Sequence, residues 1–224
     1  MLAAIVDGSQ RCPDRFGRAG HNLAVSGMLW NRSLVMIDEE TGSLWSHLLG
    51  EAMQGPLQGT QLEAIPSEMV TWESWRREHP QTTVLNLSRT ARNYVKQFYR
   101  RPQEFVFGWI ENGQAFSAGF DVLIKNPVLN VKLAKSTMVV TFDQDTTAAH
   151  LFSSVVDERT LQFVRDKQGR MMDSQTETIW NSNTGMAVEG PLKGKRLQQL
   201  VGIVSYARSW KVFHPDSKSV RPTE

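Results

Sequence analysis

Residues 38–62 read DEETGSLWSHLLGEAMQGPLQGTQL, and residues 173–197 read DSQTETIWNSNTGMAVEGPLKGKRL. The two segments align without a gap at a displacement of 135 residues. Ten of the twenty-five aligned positions are identical: Asp38/Asp173, Thr41/Thr176, Trp45/Trp180, Gly50/Gly185, Ala52/Ala187, Gly55/Gly190, Pro56/Pro191, Leu57/Leu192, Gly59/Gly194 and Leu62/Leu197. This identity predicts an internal duplication, and the duplication determines the fold that we expect.

The duplication extends upstream of the quoted segments. Residues 2–7 (LAAIVD) and 138–143 (MVVTFD) each read as a short apolar strand closed by an aspartate. The number of residues from Asp7 to Asp38 is nearly equal to the number from Asp143 to Asp173. Each copy is therefore expected to open with this strand.

The two copies diverge between these anchors. Residues 8–20 (GSQRCPDRFGRAG) read as a loop, whereas the second copy contains the strand-like stretches 151–156 and 160–164. His21 and Asn22 end the loop and have no counterpart in the second copy by sequence. Because binding residues are often found on loops, this difference marks a place to search for function.

Each copy is expected to end in a short helix. Thr71 can cap a helix over 72–79, and Ser205 can cap one over 206–214, each stopped by a following proline. In both helices a tryptophan precedes a histidine by four residues, so the two rings should share one face. We assign these histidines a structural role at the helix C-terminus.

The segment between the copies has two recognisable parts. Residues 89–101 (RTARNYVKQFYRR) form a basic stretch with aromatic residues, interpreted as the solvated face of a connector. Residues 105–110 and 114–121 flank an Asn-Gly turn and predict a β-hairpin. Asn126, Pro127 and Asn130 read as a loop that leads to the second copy.

The predicted fold class is α+β and β-dominated, with two pseudo-symmetric repeats of short antiparallel strands that each end in a capped helix. The predicted first repeat covers residues 1–85, the connector with its β-hairpin 86–137, and the second repeat 138–217. We expect one continuous globular body.

Composition excludes several classes of partner. Of 224 residues, 40% are hydrophobic and 21% charged, as in ordinary globular proteins. The net charge of +2 is close to balance, so we expect no nucleic-acid partner. No apolar run is long enough for a transmembrane helix. Cys12 is the only cysteine, so the chain can form neither an intramolecular disulfide nor a cysteine-rich metal site.

The sequence MIDEETGSLWSHLLGEAMQGPLQGTQL, followed by TWESWRREHP, resembles the bacterial and archaeal domain-of-unknown-function family 3179. The preceding AVSGMLWNRSLVM resembles the lead-in of that family, and the resemblance covers nearly the whole chain. The family is internally duplicated and implies no established activity.

Many members of this family look exported, and they carry a C-P-x-C type stretch before the first strand. In this chain that stretch would fall before Met1, and Cys12 does not match it. The resemblance therefore implies a missing N-terminal segment. It also implies a periplasmic or cell-envelope location for the full-length form, and a cytoplasmic one for the chain as it stands.

Ionisable residues that only the first copy carries suggest a metal site. Serine and methionine occupy the positions of His47 and Glu51 in the second copy. Together with Asp38 and with His21 from the divergent loop, they could form a mixed nitrogen and oxygen site for a divalent transition metal.

Two functional hypotheses follow, and the sequence does not establish whether the protein is an enzyme. The first is a binding module, with a small ligand or a protein partner in the groove between the repeats, near Trp30, Trp45 and His47. The alternative is a metal-dependent or redox enzyme of the cell envelope, whose site is completed by the missing N-terminal segment.

Overall fold

A computed structural model describes residues 21–67, 69–83 and 101–222. Within these ranges the chain is β-dominated, with several small antiparallel sheets and three short helices. The helices are α1 (Trp72–Glu78), α2 (Phe120–Lys125) and α3 (Ala207–Phe213), and a 3₁₀ turn covers Pro102–Glu104. The expectations for residues 2–20, including Cys12, and for most of the basic stretch at 89–101 lie outside the described residues.

The strands are β1 (Leu23–Trp30), β2 (Ser33–Asp38), β3 (Leu44–Ser46), β4 (Glu51–Gln54), β5 (Phe105–Glu111), β6 (Gln114–Gly119), β7 (Val128–Lys132), β8 (Thr137–Asp143), β9 (Ala148–Ser153), β10 (Val155–Val156), β11 (Arg159–Thr160), β12 (Phe163–Arg165), β13 (Met171–Asp173), β14 (Ile179–Trp180), β15 (Ala187–Glu189), β16 (Gln199–Leu200), β17 (Ile203–Tyr206) and β18 (Lys218–Ser219). Neighbouring strands are antiparallel except for β18, which pairs with β6 in parallel. None of the described helices is both long enough and apolar enough to cross a membrane.

The described residues divide into two compact units. The first contains the residues up to Ile65 together with Arg208–Pro215, and the second contains Pro66–Ala207 together with the residues from Asp216 onward. Most of α3 therefore belongs to the unit that contains β1–β4, although it follows the second quoted segment in sequence.

The first unit is built on a sheet in the order β1-β2-β3-β4. Its longest hairpin, β1–β2, turns at Asn31 and Arg32, whose φ angles of 49° and 64° are those of a type I′ turn. A bulge interrupts β1 between Val25 and Leu29. There the Ser26 hydroxyl donates to the Val35 carbonyl at 2.6 Å and accepts from the Met28 N–H at 3.1 Å. Ser26 thus replaces ladder bonds that the bulge removes.

The described part of the second unit contains three four-stranded sheets, in the orders β17-β5-β6-β18, β16-β9-β8-β7 and β12-β13-β14-β15. Strands β8 and β9 alternate between two cores. Met138 and Val140 belong to the core shared with β5, β6 and α2, whereas Val139 and Phe152 belong to the core shared with β12–β14. The sheet β16-β9-β8-β7, the central sheet, is therefore buried on both faces. This explains why residues 138–143 (MVVTFD) are apolar at almost every position.

Several local predictions are confirmed. The hairpin β5–β6 turns at Asn112 and Gly113, with φ angles of 48° and 77°. The Thr71 side chain caps α1 by accepting the Ser74 N–H at 3.3 Å. The tryptophan and histidine rings at the helix ends lie close together, with centroids 4.0 Å apart for Trp75/His79 and 4.2 Å for Trp210/His214.

Two local predictions are wrong. Ser205 does not begin a helix, because it lies inside β17 and pairs with Val106 of β5. Asn130 does not lie in a loop but in β7, where its amide binds both backbone groups of Phe163, at 2.7 and 2.9 Å. The asparagine that suggested a turn instead attaches β12 to the central sheet.

Candidate functional site

Asp38 is the first residue of the first quoted segment and is fully buried. Its carboxylate accepts hydrogen bonds from the Thr41 N–H at 2.6 Å, the Thr41 hydroxyl at 2.7 Å and the Trp45 indole N–H at 3.0 Å. An aspartate readily accepts bonds from a turn that follows it, and a buried indole requires an acceptor. These two requirements explain why the aspartate, threonine and tryptophan occur together.

Asp173 is held in the same way. Its carboxylate accepts from the Thr176 N–H at 2.6 Å, the Thr176 hydroxyl at 2.9 Å and the Trp180 indole at 2.9 Å. Both tryptophans are almost fully buried. The aspartate, threonine and tryptophan that the two segments share therefore serve the framework.

Burial alone would raise the pKa of Asp38. Hydrogen bonds from Trp45 and Thr41, together with the nearby His21 ring, outweigh this effect, so the pKa of Asp38 lies below its ordinary value. The buried group is accordingly a carboxylate at neutral pH and can bind a cation.

His21 lies against this carboxylate. Its Nδ1 atom is 3.8 Å from Asp38 Oδ1 and 3.7 Å from Glu40 Oε2. Glu40 is itself held by Asn22, whose backbone N–H and side-chain amide each donate to it at 2.9 Å. Among the described residues, these three form the one group of three or more His, Cys, Asp or Glu side chains whose possible ligand atoms all lie within 4.8 Å.

The other two residues of the predicted metal set are not members of this group. His47 Nδ1 lies 3.2 Å from the Ser33 hydroxyl, and Glu51 accepts a bond from the Gln61 amide at 2.7 Å. Burial lowers the pKa of His47, so its ring is neutral at neutral pH. The structure thus brings together His21 and Asp38 and adds Glu40, which the sequence comparison did not select.

Trp30 and Trp45, both expected near a ligand, occupy different environments. Trp45 is 1% exposed and supports Asp38, whereas Trp30 is 42% exposed at the end of β1. The Trp30 ring meets Phe213 edge-on at a centroid distance of 4.9 Å. Trp30 also lies opposite Ser33 in the β1–β2 ladder. Because Ser33 contacts His47, Trp30 and His47 flank the same residue.

A row of exposed apolar side chains accompanies Trp30 along β1. The exposed fractions are 68% for Val25, 45% for Met28 and 69% for Leu29. Among the described strands, β1 is the outermost of its sheet and pairs with β2 alone. An outer strand with apolar side chains is unusual unless another segment covers it.

Similar hydrogen bonds occur two residues after each buried aspartate. The Asn22 N–H donates to the Glu40 side chain at 2.9 Å, and the Gln162 N–H donates to the Gln175 side chain at 2.8 Å. The residue before the donor is His21 in the first case and Leu161 in the second. Leu161 and Gln162 differ in type from His21 and Asn22, as the sequence comparison found.

A family model described as "Protein of unknown function (DUF3179)" matches residues 12–217. No significant match to this chain was found among curated proteins or among solved structures. The matched range includes both quoted segments and all three described helices. The chain therefore belongs to the DUF3179 family.

Proposed function

We propose that this protein is a binding module, and that strand β1 and the end of the β1–β2 hairpin bind an extended, apolar segment of a protein partner. The observation that carries the proposal is the exposure of Val25, Met28, Leu29 and Trp30 on an outer strand. In this mode the partner adds a strand to the sheet, with affinity from main-chain hydrogen bonds and specificity from side chains.

The second unit provides the contrast that supports this reading. Its strand β12 is only three residues long, and Arg165 occupies the place that Val25 has in β1. The adjoining loop is charged, with Arg170 paired to Asp166 at 2.8 Å and to Glu189 at 3.1 Å. Charges on an outer strand discourage strand addition, whereas the apolar residues of β1 favour it.

Ser33 and His47 form a polar pair at the end of the β1–β2 hairpin, and this pair would complement the apolar surface of β1. His47 is partly buried, and its contact with the Ser33 hydroxyl fixes the orientation of its ring. A neutral imidazole beside an exposed indole can accept or donate one hydrogen bond to a partner. A few polar groups among apolar contacts are what fix the position of a bound segment.

We also propose that the chain consists of two copies of one unit, each built around a four-stranded meander. The matching hydrogen bonds at Asp38 and Asp173 support this proposal. On this view the copies share a framework, and binding developed in the first copy.

Selection from a displayed library of random peptides tests the binding proposal. We expect the wild-type protein to select peptides with an extended apolar pattern. We expect Leu29→Lys to reduce their affinity by a factor of ten or more, because a charge would replace an apolar contact. Val164→Lys is the matched control, since Val164 is exposed on β12. Circular dichroism would verify that both variants are folded.

Two outcomes would overturn the proposal. One is the absence of any peptide enriched on the folded wild-type protein. The other is equal binding of the selected peptides to the wild type and to Leu29→Lys.

A further inference from the structure

We infer that His21, Asp38 and Glu40 form a binding site for a divalent first-row transition-metal ion. This site is distinct from the proposed peptide surface. Asp38 lies opposite Leu23 at one end of the β1–β2 ladder, whereas Trp30 lies opposite Ser33 at the other. The two ends are roughly 20 Å apart at the usual rise of a strand.

Within the described part of the chain, the imidazole nitrogen that faces the two carboxylates has no hydrogen-bond partner. His21 Nδ1 is completely enclosed, although the His21 side chain as a whole is 22% exposed. Its distances of 3.7 and 3.8 Å to carboxylate oxygens are too long for hydrogen bonds. They suit ligands that share one ion, because two ligands about 2.1 Å from a zinc ion are roughly 3.4 Å apart in tetrahedral geometry.

Both carboxylates are oriented before any ion binds. Thr41 and Trp45 hold Asp38, and Asn22 holds Glu40 through two bonds of 2.9 Å. Partners of this kind orient ligands in metal sites and strengthen binding. The Glu40 side chain is 39% exposed, so an ion could reach the group from solvent.

The chain itself shows that the fold does not require His21 or Glu40. At the corresponding places the second unit has Leu161, which is 2% exposed in an apolar core, and Gln175, which keeps the same backbone bond. Asp173 nevertheless makes the same bonds as Asp38. Of the two buried carboxylates in the described ranges, only Asp38 therefore has a histidine and a glutamate beside it.

One nitrogen and two carboxylate ligands select a borderline metal ion. Imidazole favours zinc, cobalt, nickel and copper, whereas sites for magnesium or calcium consist of oxygen ligands alone. Three protein ligands would leave at least one position for water or another ligand.

Calorimetric titration of the whole folded chain with Zn²⁺ tests the inference. In a second experiment, Co²⁺ replaces Zn²⁺, and its absorption spectrum reports the ligands. We expect one ion per chain. The double variant His21→Leu/Glu40→Gln should lower the affinity by about 100-fold or more, since the loss of an orienting partner alone costs 10- to 100-fold. This variant carries the residues of the second unit, so we expect it to fold.

Control variants separate this site from other sources of binding. Glu39→Gln removes an exposed neighbouring charge, and His47→Ala removes a histidine outside the group, so both should bind Zn²⁺ as the wild type does. Absence of one-to-one binding by the folded wild type would overturn the inference. So would retention of that binding by the folded double variant, or its loss in His47→Ala. Peptide binding at β1 is measured without added metal, so either proposal can fail alone.

Discussion

Replacement of Asp173 by alanine is expected to lower the free energy of unfolding by about 3–5 kcal/mol, because each buried donor left without an acceptor costs about 1–3 kcal/mol. The substitution leaves the buried Trp180 indole N–H and the Thr176 groups without their acceptor. Each hydrogen bond to a charged group contributes about 1.5–3 kcal/mol. Chemical denaturation followed by tryptophan fluorescence would measure the loss.

Two further variants determine whether the carboxylate has this role in both segments. Asp38→Ala should cost a similar amount, because Trp45 and Thr41 lose the same acceptor. Glu189→Gln should cost under 1 kcal/mol, since its pairing with Arg170 is exposed to solvent. If Asp173→Ala were no more harmful than Glu189→Gln, the framework role would be rejected.

The stabilisation by Asp38 is expected to disappear in acid. Its pKa is lower in the folded protein than in the unfolded chain, so the folded state binds a proton less readily. The stabilisation is therefore fully present above the ordinary aspartate pKa of about 3.9 and is lost as pH falls through the lower folded value. The difference in unfolding free energy between the wild type and Asp38→Asn should shrink below about pH 4. A difference that stays constant down to pH 2.5 would contradict this explanation.

Much of the local structure could be predicted because short-range chemistry determines it. Asn112-Gly113 can adopt the positive φ angles of a type I′ turn, so the hairpin β5–β6 follows from two residues. Thr71 offers an oxygen to the first turn of α1 whatever the rest of the chain does.

Elements that depend on distant contacts could not be predicted in this way. Asn130 has the composition of a turn, but Phe163 supplies both of its hydrogen bonds from 33 residues away. Ser205 resembles a helix cap, yet pairing of β17 with β5 keeps it in a strand. In both cases the competing partner lies far along the sequence, so tertiary structure overrides the local preference.

Only part of the candidate metal group could be predicted from the sequence, for the same reason. Comparison of the segments directed attention to residues that differ between them, with Asp38 the one identical residue kept in the predicted metal set. It selected His47 and Glu51 because they differ between the segments, but Glu40 also differs and was overlooked. Only the pairing of Leu23 with Asp38 places His21 beside the two carboxylates.

Replacement of Gly190 by alanine is expected to destabilise the protein by about 3 kcal/mol, combining about 1–2 kcal/mol for a left-handed backbone with at least 1 kcal/mol for overpacking. The φ angle of Gly190 is +98°, and a Cβ atom there would lie 2.8 Å from the Thr178 Cα atom. That neighbour is backbone and cannot rotate away. The close approach accompanies a hydrogen bond of 3.2 Å from the Leu192 N–H to the Thr178 hydroxyl, which the strain would also disturb.

Gly194 separates the two contributions to this cost. Its φ angle is +89°, but a Cβ atom there would meet nothing within 4 Å, so Gly194→Ala should cost only the backbone part, about 1–2 kcal/mol. Gly55 and Gly59 repeat the contrast in the first segment, with φ angles of +102° and +83° and a 2.8 Å approach to the Ser43 Cα atom only at Gly55. Urea denaturation of the four alanine variants would test both pairs. Equal losses within a pair would show that backbone conformation alone requires glycine. A larger loss at Gly55 and Gly190 would show that the close approach to the Ser43 or Thr178 backbone is a second reason for the shared Gly-Pro-Leu.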